Sequence, residues 1–224
     1  MKALLFDMDG TLIDSMRMWR SLEKSYMEQL GVDYAQVDVN QTATMSLRDI
    51  VALLNKQFSL DLSVEQAERL VNERISRFYR EEARPKPGVT AMLEEFRACG
   101  IPMAVGTATP ERFALEALAH TGLLAYFDFV QSVTTDGYAK NDKRFYVRAA
   151  ERFGTTPDEL CLFDDALYAC VTAKSAGLWV VAVEDAAYEQ DRAALKRGAN
   201  EYVQGFDRWS PRSWAVARGL CGKE

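Results

Sequence analysis

The chain opens Ala3-Leu4-Leu5-Phe6-Asp7-Met8-Asp9-Gly10-Thr11-Leu12-Ile13-Asp14. Ala3 to Phe6 is an apolar run without alternating polar positions, the pattern of a strand buried on both faces of a parallel sheet. Asp and Gly disfavour strands, so the sheet is expected to end at Asp7 and the chain to turn through Gly10. Side chains alternate along an extended chain, which places Asp7 and Asp9 on one side. Two carboxylates so close repel unless a cation or a proton lies between them. Asp-Gly alone is an ordinary turn dipeptide; the second carboxylate two residues away is what marks a site.

The next segment has helical periodicity only. Met18, Leu22, Tyr26 and Leu30 recur every four residues before a glycine stop at Gly31. Ser46 with Asp49 starts a second helix, with Ile50, Val51, Leu53, Leu54 and Phe58 as its apolar stripe. Ser63 with Gln66 starts a third, carrying Leu70, Val71, Ile75 and Phe78. Arg84-Pro85-Lys86-Pro87-Gly88 cannot continue a helix and forms a linker. Strands and helices then alternate: a helix over 89–96, a strand over 101–106 ending at Thr107, and a helix opened by Thr109-Pro110 as N-cap and N1. A strand at 127–130, a helix at 145–153, a strand at 160–163, a helix at 166–176 and a strand at 178–183 follow, with a tail helix at 209–220. Such alternation builds an α/β fold with a parallel sheet and right-handed crossovers. The expected core is residues 1–14 and 84–224, interrupted after the first strand by a helical insert over 15–83.

Hydrophobic residues make up 48% of the chain and aromatic residues 11%, which fits a packed globular protein. No apolar run approaches the ~18 residues of a membrane span. A net charge of −6 and the lack of a basic run with interleaved aromatics argue against nucleic acid as a partner. The first residues lack a signal-peptide pattern. Cys99, Cys161, Cys170 and Cys221 contain no Cys-x-x-Cys pair, and Cys161, inside an apolar run, is expected to be a reduced, buried thiol. A cytoplasmic location fits these features best.

Open parallel sheets bind ligands beyond the C-terminal ends of their strands. Those ends here carry Asp7 and Asp9, Thr107, and Asp164-Asp165, and Lys140 lies in the loop after the third strand, with Lys143 as a rival. Hard oxygen ligands of this kind suit Mg²⁺, which binds through one or two carboxylates plus a substrate phosphate. Each residue also has a structural alternative: Thr107 and Asp164-Asp165 as helix caps, Lys140 as a solvated surface lysine. His120, the single histidine, is expected to cap a helix end.

Asp7-Met8-Asp9-Gly10-Thr11, Thr107, Lys140 and Asp164-Asp165, in this order and spacing, resemble the four motifs of the haloacid dehalogenase superfamily. Gly122-Leu123 through Tyr126-Phe127-Asp128 resembles its phosphoglycolate phosphatase and β-phosphoglucomutase branch. The resemblance spans Met1 to about Val183. It implies a doubly wound, Rossmann-like parallel sheet with an inserted α-helical cap domain that closes over the site and sets specificity. Asp7 would be the nucleophile that forms an aspartyl-phosphate, and Asp9 the general acid and then base. Mg²⁺ would be held by Asp7, the Asp9 carbonyl and Asp165, with Asp164 orienting it. Thr107, the Ala108 amide and Lys140 would hold phosphate oxygens; Gly10, Thr11 and Arg48 would contact substrate, with Arg17 as a further guess.

An acid at Asp9 points to phosphate-ester rather than carbon–halogen chemistry, because halide needs no proton to leave. The family's Lys-Pro-x-Pro is Lys140-Asn141-Asp142-Lys143 here, which leaves the choice between the two lysines open. Asp164 stands where relatives often have Glu or Gly, and Trp19 where mutases of this branch carry histidine. The expected function is a Mg²⁺-dependent phosphatase of a small phosphorylated metabolite, as a monomer or weak homodimer with no nucleic acid or membrane partner. A sugar-phosphate mutase and a vestigial binding or regulatory module are the alternatives.

Overall fold

The computed structural model describes residues 1–37 and 46–222. They form two compact units, Met1–Met16 with Ala83–Glu224, and Arg17–Glu82. The first is built on six strands: β1 (Ala3–Phe6), β2 (Met103–Thr107), β3 (Phe129–Ser132), β4 (Leu160–Asp164), β5 (Trp179–Val183) and β6 (Glu201–Val203). They lie in the order β3-β2-β1-β4-β5-β6, and each neighbouring pair is parallel. This is the doubly wound order, in which the winding reverses between β1 and β4. The apolar run at the start of the chain takes a central place because it can be buried on both faces. Every residue of β1, β2 and β4 is buried.

Helices cover both faces. In chain order the helices of seven residues or more are α1 (Met16–Gln29), α2 (Leu47–Phe58), α3 (Val64–Arg77), α4 (Val89–Ala98), α5 (Glu111–His120), α6 (Lys143–Arg152), α7 (Leu167–Ser175), α8 (Arg192–Gly198) and α9 (Pro211–Ala217). Helix α1 from Arg17 on, α2 and α3 belong to the second unit, and α4 to α9 to the unit of the sheet. Ala3, Leu5, Leu160, Leu162, Val180 and Ala182 pack with Phe145, Tyr146 and Ala149 of α6 and Cys170 and Ala173 of α7. The alternate positions point to an aromatic layer. Phe6 stacks on Phe163 at 4.8 Å, Trp214 of α9 lies 5.5 Å from Phe163, and Phe96 of α4 lies 5.8 Å from Trp214. A disulfide joins Cys99, just after α4, to Cys221, just after α9. Cys161 and Cys170 are buried free thiols.

Several boundaries depart from the sequence expectation, each for a local reason. Helix α5 begins at Glu111 with Pro110, not Thr109, at its N-cap position. Helix α6 begins at Lys143, earlier than expected, because the Asp142 side chain accepts the Arg144 amide and caps it. Strand β3 begins only at Phe129: Asp128 pins the entry to the sheet, its amide donating to the Met103 carbonyl and its carboxylate accepting the Met103 amide. Strand β6 and helix α8 were not anticipated, and α9 is shorter than the 209–220 expected.

In the second unit, Ser46 caps α2, and Ser63 and Gln66 form the reciprocal capping box at the start of α3. Tyr26, Met27, Val51, Leu54 and Ala67 make its small core. Trp19 lies within this unit and its indole N–H donates to the Tyr79 hydroxyl at 3.1 Å. Among the described residues, no helix is long and apolar enough to cross a membrane.

Candidate active site

The site lies where the sheet's winding reverses. Phe6 pairs with Phe163, and the Asp7 amide donates to the Phe163 carbonyl at 2.8 Å. Asp7 and Asp164, the next residues along two adjacent strands, therefore leave the sheet together. Asp7, Asp164 and Asp165 are all buried, and each offers a carboxylate oxygen within 4.8 Å of the others. Lys140, itself buried, reaches Asp7 Oδ1 at 2.7 Å and Asp164 Oδ2 at 2.5 Å. Lys143 is exposed on the first turn of α6, so Lys140 is the lysine at the carboxylates. Tyr146 fixes the Lys140 backbone by donating to its carbonyl at 2.9 Å.

Electrostatics follow from this crowding. Burial, the largest influence, pushes the Asp7 carboxyl up to about 7; Lys140 pulls against it, while Asp164 and Asp9 add to the rise. Burial, with Asp7 and Asp164 beside it, also drives Asp165 well above the carboxylate range against the pull of Lys140. Burial would lower Lys140, but Asp164 and Asp7 outweigh it and hold the ammonium well above its ordinary range. A dication among these carboxyls would oppose the rise of Asp7 and Asp165 by favouring their ionised forms.

The donor set fits Mg²⁺ on an independent observation. Asp165 Oδ1 accepts the Thr11 hydroxyl at 3.0 Å, while Asp165 Oδ2 is buried with no hydrogen-bond partner among the described residues. A buried carboxylate oxygen left without a donor is costly unless a cation takes it. Gly10 is shaped to this oxygen. A Cβ there would lie 2.1 Å from Asp165 Oδ2, at a φ of +87° that side chains avoid.

Asp9 is set apart from its partner two residues back. Its carboxylate is not part of the three-residue cluster; it accepts the Ser15 hydroxyl on Oδ1 and the Thr109 hydroxyl on Oδ2, each at 2.6 Å. The expectation that Thr109 caps a helix is thus corrected: its hydroxyl holds Asp9. Thr107 does not cap α5 either. It is buried at the end of β2, and its Oγ1 accepts the Thr109 amide at 3.0 Å. Ala108 is exposed between them. Asp164 does act locally as a turn former, accepting the Ala166 amide on Oδ1 at 2.9 Å, but its other oxygen belongs to Lys140. His120 ends α5 beside Arg84, with 3.2 Å between their nitrogens. Arg48 and Arg17 belong to the helical unit, where both are exposed.

Ser15 and Thr109 were missed as site residues. Thr109 carried one usable signal: it follows Thr107 by two residues beyond a strand end, as Asp9 follows Asp7. Ser15 carried none.

Comparison with known proteins agrees with this geometry. The chain is 28% identical over 204 residues to a phosphorylated carbohydrates phosphatase of Thermotoga maritima, covering 91% of this chain and 94% of that protein. It is 28% identical to a fructose-1-phosphate phosphatase of Escherichia coli, covering 80% and 95% respectively. The crystal structure of a β-phosphoglucomutase-like protein of Thermotoga maritima superposes with a TM-score of 0.77 at 27% identity, over 98% of this chain and 99% of that one. The family model of the haloacid dehalogenase-like hydrolases matches residues 1–177, the stretch that holds every carboxylate of the site. The chain is an enzyme and belongs to the haloacid dehalogenase-like hydrolases.

Proposed function

We propose that this hydrolase is a Mg²⁺-dependent phosphatase that cleaves the phosphate monoester of a small metabolite through an aspartyl-phosphate on Asp7. The relatives named for phosphorylated carbohydrates and for fructose 1-phosphate favour a sugar phosphate. An Asp7 oxygen attacks phosphorus, and the P–O bond to the leaving group breaks as the leaving-group oxygen takes a proton from Asp9. Water then gives a proton to Asp9 and attacks phosphorus, which frees the Asp7 carboxylate and inorganic phosphate. Asp9 suits two-way proton transfer because Ser15 and Thr109 fix its orientation outside the carboxylate cluster. In this reading Lys140, beside Asp7, contacts phosphate oxygens together with Thr107 and the Ala108 amide, and Gly10 and Thr11 contact substrate. Asp7, Asp164 and Asp165 would hold Mg²⁺, with the Asp9 carbonyl, and the cation would offset the charge of the phosphoryl group. The helical unit Arg17–Glu82 is the cap in this reading and Arg48 a substrate contact.

The observation that carries the reading is the cluster of Asp7, Asp164 and Asp165 with Lys140 between two of them, at the switch point of the sheet. A panel of sugar, nucleotide and carboxylic-acid phosphates, assayed for phosphate release with and without Mg²⁺, tests it. Release should require Mg²⁺ and fall on the order of 10³-fold or more in Asp7→Asn, which keeps the shape of the nucleophile but not its charge. Undiminished activity in that variant sinks the mechanism. The likeness to a β-phosphoglucomutase-like structure favours a second reading, return of the phosphate to a bound sugar. Steady phosphate release without any bisphosphate activator counts against it.

A further inference from the structure

Lys86 lies in the linker that returns the chain to the sheet, and its ammonium meets three acceptors. These are the Gly10 carbonyl at 2.6 Å, the Glu184 carbonyl at 3.0 Å and Asp185 Oδ2 at 2.9 Å. A lysine ammonium has three donors, so its capacity is filled, and the side chain is only 15% exposed. The linker backbone is held to the same turn. The Asp14 amide donates to the Arg84 carbonyl at 3.0 Å, the Lys86 amide to the Leu12 carbonyl at 2.9 Å, and Ile13 and Pro85 form an antiparallel bridge. A surface lysine needs none of this; Lys86 is built into the fold as a strut.

The strut bears on the carboxylates through one peptide. Gly10, whose carbonyl Lys86 holds, has the Cα that packs on Asp165 Oδ2, and the next residue, Thr11, donates to Asp165 Oδ1. The other end of the strut is the chain leaving β5, the strand beside β4. Lys86 therefore ties the turn after β1 to the turn after β5, on either side of β4 and Asp165.

We propose that Lys86 is a positioning residue: by tying the Gly10 carbonyl to Glu184 and Asp185 it fixes the Gly10–Thr11 turn against Asp165 and so sets the affinity of the carboxylate cluster for its cation. The proposal rests on the Mg²⁺-dependent reading above. Loss of an outer contact of this kind weakens metal binding or activity by about 10–100-fold. The sign of the effect separates positioning from plain charge. Removing a cation near the cluster leaves Asp185 without its ion pair, though still accepting the Ala187 amide, and by electrostatics alone tightens Mg²⁺; losing the strut weakens it.

Calorimetric titration of Mg²⁺ into metal-free protein, with kcat and KM on the best substrate, reads this for wild type, Lys86→Met and Lys86→Arg. Expected for Lys86→Met is a Mg²⁺ dissociation constant raised about tenfold or more and kcat lowered with KM within about twofold. Lys86→Arg keeps the charge but replaces one nitrogen with a planar fork that cannot serve the same three acceptors. It should weaken Mg²⁺ in the same direction, to a smaller extent, and it carries the test if Lys86→Met does not fold. Mg²⁺ affinity unchanged or tightened in the folded variants overturns the inference alone. Wild type that neither binds Mg²⁺ nor releases phosphate overturns the functional reading, and this inference with it.

Discussion

Lys140 is a buried ammonium held between Asp7 and Asp164, and its surroundings define what it does. Burial disfavours charge on Lys140, and the two carboxylates beside it outweigh that and keep it an ammonium. Removing the lysine should therefore cost more than removing an exposed one. Lys140→Met is expected to destabilise the protein by about 3–5 kcal/mol, because it strands buried carboxylates. Urea unfolding checks this, with Lys143→Met as comparison: Lys143 is exposed, and its loss should move stability by less than about 0.5 kcal/mol. Equal effects of the two substitutions would contradict the placement of Lys140. The choice between these lysines could not be made from sequence, because the loop lacks the prolines that would have marked one of them. The cap at Asp142 starts α6 at Lys143 and leaves that side chain exposed, while Lys140 lies buried against the carboxylates.

At the scale of elements, local chemistry was legible wherever a short pattern suffices. Ser63-x-x-Gln66 announced the start of α3, and both halves of the capping box are present, Gln66 N–H to Ser63 Oγ at 3.1 Å and Ser63 N–H to Gln66 Oε1 at 2.7 Å. Ser63→Ala should lower the stability of the helical unit by about 1 kcal/mol, measured as a shift in urea midpoint with unchanged slope. A null effect would mean that α3 is held by its packing alone. The buried strands were equally legible: Ala3–Phe6, Met103–Thr107 and Leu160–Asp164 are apolar runs that stop at polar residues, and those stops carry residues of the candidate site. What stayed hidden has a common cause. β6 has three residues, Glu201-Tyr202-Val203, too few for a period to show. The hydroxyl of Thr109 on Asp9 and the ammonium of Lys86 on Gly10 join segments 100 and 76 residues apart. No local pattern encodes such a contact.

For the whole molecule, the doubly wound sheet explains why distant carboxylates meet: adjacent strands β1 and β4 release Asp7 and Asp164 side by side at the point where the winding reverses. The C-terminal helix α9 is fastened over the aromatic layer by Trp214 and by the Cys99–Cys221 disulfide, whose cysteines lie 122 residues apart. The sequence offered no spacing from which to pair them. Closing so long a loop restricts the unfolded chain, so Cys221→Ser should lower stability by about 2–4 kcal/mol and the thermal midpoint by roughly 5–10 °C under oxidising conditions. With reductant present, the variant and the native chain should melt together; a persistent gap would assign the loss to packing. The central claim is narrower: that Asp7 takes the phosphoryl group from substrate. It is tested most directly by acid-quenching the enzyme during turnover with Mg²⁺ and the best substrate, reducing any acyl phosphate with borohydride, and mapping the product by mass spectrometry. The account predicts homoserine at position 7. Homoserine at another aspartate, or none while phosphate is released at full rate, would contradict it.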